Sequence, residues 1–189
     1  MYTVDNTLKS TARAKHGKGT HRHVVSGTLI SGNWQDFLRI DSNKTDLFQF
    51  FFHTLIDSFN LKEKQLVITD GESVLSKPLL DDLHSISPWM HEEVHTRMLL
   101  YVHHAAHHGH DKLLIRTVDT DVVVLAVSMV QSLGAQVELW LAFGIGKQFQ
   151  YLAAHKVANG LGSKKALALP MFHALTGCDT VSEYTTTAY

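Results

Sequence analysis

Hydrophobic positions along the chain change between helical and strand-like spacing. From Thr45 to Phe59, leucine and phenylalanine recur at intervals of three to four residues, which predicts an amphipathic helix with its aromatic stripe in the core. Further helices are predicted at 91–108, 121–132, 154–160 and 164–175. Short apolar runs predict strands at 65–69, 113–117 and 137–143. Strands that alternate with helices favour an α/β fold, with a mainly parallel central sheet flanked by helices.

Glycine and proline residues mark the expected connections. The Asp70-Gly71 pair predicts a turn, and two of the three prolines lie in 76–88, which predicts a loop. Gly144-Ile145-Gly146-Lys147 predicts a hairpin turn into a strand at 148–152. This segment is not a phosphate-binding loop, because the longer glycine spacing and the following Ser or Thr are absent. We expect a basic arm or loop over 1–33 and one α/β domain over 34–189.

Composition indicates a globular protein in a reducing compartment. The chain has 189 residues, of which 44% are hydrophobic and 19% charged, and its net charge is −1. Cys178 is the single cysteine, so no internal disulfide can form. The first residues lack an apolar leader, and the longest apolar run, Val122–Val130, is too short to cross a bilayer. We expect an intracellular location, the nucleus included, without secretion or membrane insertion.

Basic side chains are concentrated near the start of the chain. The segment ARAKHGKGTHRH is broken by glycine, and it offers Arg13, Lys15, Lys18 and Arg22 as candidate contacts to the phosphates of a nucleic acid. An ordinary solvated arm is the alternative interpretation. The pattern therefore names nucleic acid as a candidate partner without identifying DNA or RNA.

Carboxylates cluster at three places that an α/β fold can bring together. Asp119 and Asp121 follow the predicted strand at 113–117, where ligands bind in open α/β sheets. Glu92 and Glu93 begin a predicted helix, and Asp179 follows a glycine. Helix capping and the helix dipole are the competing explanations for these carboxylates. Converging carboxylates would suit Mg²⁺, whose ligands in proteins are oxygens.

Histidines give weaker alternatives. His91-Glu92-Glu93-Val94-His95 matches the H-E-x-x-H pattern of zinc metalloproteases, but the chain holds 14 histidines and no extended motif follows. A second cluster, which could bind zinc or nickel or form a solvated helix face, comprises His103, His104, His107, His108 and His110. His173, Cys178 and Asp179 suggest a thiol nucleophile, although a single cysteine beside an apolar helix is usually a core residue.

Three segments resemble a known family. TVDTDVVVLAV, LALPMFHALTGCDTVSEY and HEEVHTRMLL are similar to segments of an animal protein family found in transposon-rich genomes. That family in turn resembles the PIN-like nucleases, which include flap endonucleases. The resemblance implies that Glu93, Asp119, Asp121 and Asp179 are catalytic, and that these four with Glu92 hold Mg²⁺ or Mn²⁺ for phosphodiester hydrolysis.

The chain also departs from that family. The family pattern is H-E-E-A-D, and His95 stands here in place of its aspartate. The expected first strand and a later lysine-rich segment lie outside the sequence, so we expect a PIN-like domain truncated at both ends. The resulting hypothesis is a degenerate, inactive nuclease domain. Its alternatives are an active Mg²⁺-dependent nuclease completed by a partner chain, a non-catalytic nucleic-acid-binding or interaction domain, and a zinc hydrolase.

Overall fold

The computed structural model describes residues 21–29, 32–70, 73–80, 86 and 94–176. The chain divides into two compact units between Leu83 and His84. The described residues form a mixed α/β structure with six α-helices and two small sheets. The α/β class predicted from the sequence is therefore confirmed.

The first unit combines two helices with a β-hairpin. Helix α1 spans Trp34–Leu38 and helix α2 spans Asp41–Ser58, so α2 begins before the predicted start at Thr45. Strands β1 (Leu66–Asp70) and β2 (Ser73–Lys77) pair in antiparallel orientation. The loop predicted from residue 76 therefore begins after β2, because Ser76 and Lys77 complete the ladder with β1.

The aromatic stripe of α2 is only partly covered. Phe51 is 46% exposed and Leu55 is 52% exposed. The prediction that this stripe lies in the core is therefore wrong for these side chains. Periodicity identified the helix, but it does not reveal how much apolar partner surface a helix finds.

The second unit alternates helices and strands. Its elements, in order, are α3 (Val94–His107), β3 (Lys112–Thr117), α4 (Thr120–Met129), β4 (Glu138–Phe143), β5 (Gln150–Ala153), α5 (Ala154–Leu161) and α6 (Ser163–Thr176). Single 3₁₀ turns lie at Val130–Leu133 and Gly146–Gln148. The predicted helices at 154–160 and 164–175 are confirmed, and α6 continues through Pro170.

The sheet of this unit is mixed, with strand order β3-β4-β5. Strands β3 and β4 are parallel, with Leu113 opposite Leu139 and Thr117 opposite Phe143, whereas β5 returns antiparallel to β4. The expectation of one mainly parallel central sheet is therefore corrected. The turn after β4 is too short for the crossover that a parallel strand requires, and β1 and β2 form a separate hairpin.

The core covers one face of this sheet and fixes the end of β3. Ile115 and Leu141 lie opposite each other and are buried with Val122 and Ala126 of α4. Leu114 points to the other face and is 61% exposed. Burial at alternate positions thus sets the register of β3 and the place at which it ends. Within the described part of the chain, no helix is long and apolar enough to cross a membrane.

Candidate metal centre

The end of β3 positions the first carboxylate. Thr117, the last residue of β3, is buried, and its hydroxyl oxygen accepts a hydrogen bond from the Asp119 N–H at 3.0 Å. Asp119 then caps α4, since its Oδ1 accepts the Asp121 N–H at 2.9 Å. The capping role considered from the sequence is therefore confirmed. The cap uses Asp119 Oδ1 and leaves Asp119 Oδ2 for other contacts.

Two histidines from other helices approach these carboxylates. His95, in the first turn of α3, places Nε2 at 2.9 Å from Asp119 Oδ2. His173, near the end of α6, places Nε2 at 2.7 Å from Asp121 Oδ1. Both contacts join residues far apart in sequence, so tertiary packing of α3, α4 and α6 creates the group. We call these four residues the His–Asp cluster.

The cluster is partly open to solvent. The His95 and Asp119 side chains are 30% and 43% exposed, and those of His173 and Asp121 are 26% and 39% exposed. Water and small ions can therefore reach the cluster, whereas its inner side is closed by protein. The N-terminus of α4 adds a partial positive charge that favours the carboxylates.

Three members present ligand atoms to a common point. One ligand atom each from His95, Asp119 and Asp121 lies within 4.8 Å of the other two. An ion bound at about 2.2 Å from each ligand holds its ligand atoms at most about 4.4 Å apart. Side-chain adjustments of a few tenths of an ångström would therefore bring the three atoms onto one divalent ion. Among the residues that the structure describes, this is the one group of three metal-ligating side chains that converges in this way.

The other residues predicted for the site fall in two sets. Glu92, Glu93 and Asp179, together with Arg13, Lys15 and Lys18, lie outside the described residues. Arg22 is described and exposed, and its backbone N–H donates to Asn43 Oδ1 at 2.8 Å. Its guanidinium is thus available to solvent on a segment held to α2.

The structure also adds to the alternatives drawn from the histidines. His95 of the H-E-x-x-H pattern faces Asp119, while His91 lies outside the described residues. In the second histidine cluster, His104 and His108 have ring centroids 4.0 Å apart, and His108 Nδ1 lies 2.8 Å from the His104 carbonyl oxygen. That ring nitrogen therefore contacts the backbone of its own helix.

The contact of His173 with Asp121 is not predicted from the sequence. The sequence linked this histidine to Cys178, whereas the structure pairs it with Asp121. A separation of 52 residues leaves no local spacing that could have predicted the contact. Comparisons with protein families, with characterised proteins and with solved structures give no match for this chain.

Proposed function

We propose that this chain contains a degenerate nuclease-like domain that has kept a site for one divalent metal ion. The observation that carries the proposal is the convergence of His95, Asp119 and Asp121 on a common point. The site lies where the parallel strand β3 ends, and strand ends of this kind are the usual ligand sites of α/β sheets. Its ligands come from two separate elements, so it forms only in the folded chain.

The ligand set favours Mn²⁺ over Mg²⁺. Both ions accept carboxylate oxygens, but Mg²⁺ strongly prefers an all-oxygen shell, whereas an imidazole nitrogen suits transition metals better. His95 supplies that nitrogen, and Asp119 and Asp121 supply the oxygens. We therefore name Mn²⁺ as the preferred ion and Mg²⁺ as the weaker one.

The same ligand set supports a loss of nuclease activity. A bound ion in a nuclease activates water and stabilises the leaving oxygen of the phosphodiester, and this chemistry commonly uses two ions held by several carboxylates. The described group supplies two carboxylates and one imidazole. By the family resemblance, His95 replaces a carboxylate, which lowers the negative charge available to a second ion. We therefore infer metal binding without efficient hydrolysis.

Titration of the folded chain with Mn²⁺ and Mg²⁺ tests the metal site. Asp119→Asn is the most informative variant, because asparagine caps helices as well as aspartate and so keeps the cap of α4. We expect Mn²⁺ to bind the wild type with one-to-one stoichiometry and Asp119→Asn to bind it at least tenfold more weakly, at unchanged thermal stability. Equal Mn²⁺ affinity in the two proteins, or no binding to the wild type, would contradict the proposal.

A nuclease assay tests the lost activity. Single-stranded and duplex substrates are incubated with Mn²⁺ or Mg²⁺ and with wild type, Asp119→Asn or Asp121→Asn. We expect the wild type to cleave no faster than the two variants. Cleavage by the wild type alone would favour an active nuclease instead.

A further inference from the structure

A groove lies at the end of the sheet that carries the His–Asp cluster, where β3 and β4 finish. It has a volume of about 620 Å³ and opens beside the end of β4, with Val118, the residue before Asp119, in its wall. Its other wall is formed by the turn from β4 to β5. The other side chains that line the groove are Ile145, Lys147, Gln148 and Phe149 of this turn and Gln150, the first residue of β5.

The backbone of this turn has a fixed shape. Gly144 has a φ of +85°, and a Cβ there would lie 2.6 Å from the Gln148 carbonyl oxygen, so only glycine fits. The Gly144 N–H donates to Thr117 O at 3.2 Å, which ties the turn to the end of β3. The Gln148 N–H donates to Ile145 O at 3.1 Å and closes the turn. The groove is therefore formed before any ligand arrives.

Phe149 lines one side of the groove, and Tyr151 and Arg116 contact its ring. Phe149 is 40% exposed, and its ring meets that of Tyr151 edge to face at a centroid distance of 5.1 Å. The guanidinium carbon of Arg116 lies 5.4 Å from the Phe149 centroid. Arg116 is held there by hydrogen bonds to the carbonyl oxygens of Thr117, Ala142 and Gly144. The ring of Phe149 is thus held in place and open to solvent.

The polar groups of the groove complement a nucleic acid. Lys147 is exposed, and among the described residues that line the groove there is no aspartate or glutamate. Gln148 and Gln150 offer amides, which donate and accept hydrogen bonds as the edges of bases require. An exposed aromatic ring beside basic side chains is the usual platform for an unpaired base, which stacks on the ring while its phosphate meets the cation.

We propose that this groove binds single-stranded nucleic acid, with one base stacked on Phe149 and an adjoining phosphate near Lys147. The proposal deepens the function proposed above and rests on it. A nucleic-acid strand in this groove would pass the end of β3, where Asp119 lies. Duplex DNA is disfavoured, because its bases already stack on one another and leave no free face for Phe149. The basic arm is a separate candidate that makes no use of this ring.

Fluorescence anisotropy of labelled oligo(dT) and oligo(rU) in EDTA tests the groove without metal. Loss of a stacking ring weakens binding of a strand about tenfold, so we expect this decrease for Phe149→Ala and for Phe149→Leu, which keeps an apolar side chain. We expect Phe149→Trp to bind at least as tightly as the wild type. The matched control is Phe51→Ala, which removes a ring of similar exposure, 46%, from α2 and should leave binding unchanged.

A salt titration tests the cation. Lys147→Gln should reduce the slope of log affinity against log salt by about one, whereas Lys164→Gln, on exposed α6 surface, should not change it. No binding to the wild type, or equal weakening by Phe149→Ala and Phe51→Ala, would overturn the proposal. Because the metal titration uses no nucleic acid and this assay uses no metal, failure of the groove and failure of the metal site are distinguished.

Discussion

Two groups of histidine and aspartate in this molecule use the same residue types to different effect. In the first unit, His21 Nε2 and His23 Nδ1 lie 3.3 Å and 2.9 Å from the same oxygen, Asp46 Oδ2. In the second unit, the His–Asp cluster pairs each histidine with its own carboxylate. The first group attaches the segment that carries His21 and His23 to α2, whereas the second gathers ligand atoms at the end of β3.

The difference shows what turns histidine–aspartate pairs into a candidate metal site. Both imidazoles of the first group contact one oxygen of one carboxylate, Asp46 Oδ2, and hydrogen bonds from both lower the pKa of Asp46, with the larger contribution from His23. Asp119 instead commits one oxygen to the cap of α4 and keeps the other for His95. A second carboxylate two residues later completes a convergent group. The two groups differ in whether ligand atoms from three residues come close together, and not in the number of histidine–aspartate pairs.

Removal of a metal ligand should produce the largest effect. We expect His95→Ala to lower Mn²⁺ affinity about 100-fold, since loss of a direct ligand costs at least as much as loss of an outer partner. Asp46→Asn changes the first group instead and should leave Mn²⁺ affinity unchanged. Calorimetric titration of both variants measures the contrast, and a similar decrease in both would show that the two groups do not differ as we describe.

Removal of the histidine beside Asp121 should have a smaller effect. His173 holds Asp121 Oδ1, so His173→Gln should weaken Mn²⁺ binding about tenfold by releasing that carboxylate. His155→Gln is the matched control, because the His155 ring contacts the Leu139 carbonyl oxygen instead. Equal affinities of the two variants would contradict a positioning role for His173.

The capping role of Asp119 can be separated from its metal role. Asp119→Ala removes both the cap and the carboxylate, whereas Asp119→Asn keeps the cap. We expect Asp119→Ala to lower the free energy of unfolding by about 1 kcal/mol in metal-free buffer, and Asp119→Asn to leave it nearly unchanged. Chemical denaturation in EDTA gives both values. A large loss of stability in Asp119→Asn would mean that the charge itself stabilises the fold.

The smallest effect that we expect is a loss of stability in acid, caused by protonation of Asp46 in the first group. The pKa of Asp46 lies below its ordinary value of 3.8 in the folded chain, chiefly through the His23 hydrogen bond. Its contribution to stability is therefore complete above pH 3.8 and is lost as the pH falls through the lowered pKa. The stability difference between wild type and Asp46→Asn should decrease as the pH falls through the lowered pKa of Asp46 and disappear in stronger acid. A difference that instead grows in acid would exclude this contribution.

Local pattern predicted much of the second unit. Strands 113–117 and 137–143 and the helices at 154–160 and 164–175 were predicted with nearly their observed bounds. Each is rich in apolar residues and is bounded by glycine or polar residues. The direction of β5 was predicted by the glycine-rich hairpin turn, but the overall sheet was expected to be mainly parallel. Sheet order depends on which strands pair, and no local spacing encodes that choice.

The sequence predicts the two carboxylates of the candidate site but not the contacts of its two histidines. Asp119 and Asp121 were predicted because they follow a buried strand, a position that the structure shows for both. His95 was recognised as a departure from the family pattern, but its contact with Asp119 depends on how α3 packs. His173 joins through α6, 52 residues from Asp121. Contacts between helices of this kind follow from tertiary packing and have no signature in spacing.

Electron spin echo spectroscopy of bound Mn²⁺ can show whether His95 is a ligand of the ion, because it detects nitrogen nuclei coordinated to Mn²⁺. We expect ¹⁴N modulation from His95 in the wild type. In His95→Asp, we expect Mn²⁺ to bind still, through three carboxylates, while the modulation is lost. Bound Mn²⁺ without ¹⁴N modulation in the wild type, or modulation that persists in His95→Asp, would contradict the claim that His95, Asp119 and Asp121 hold one ion.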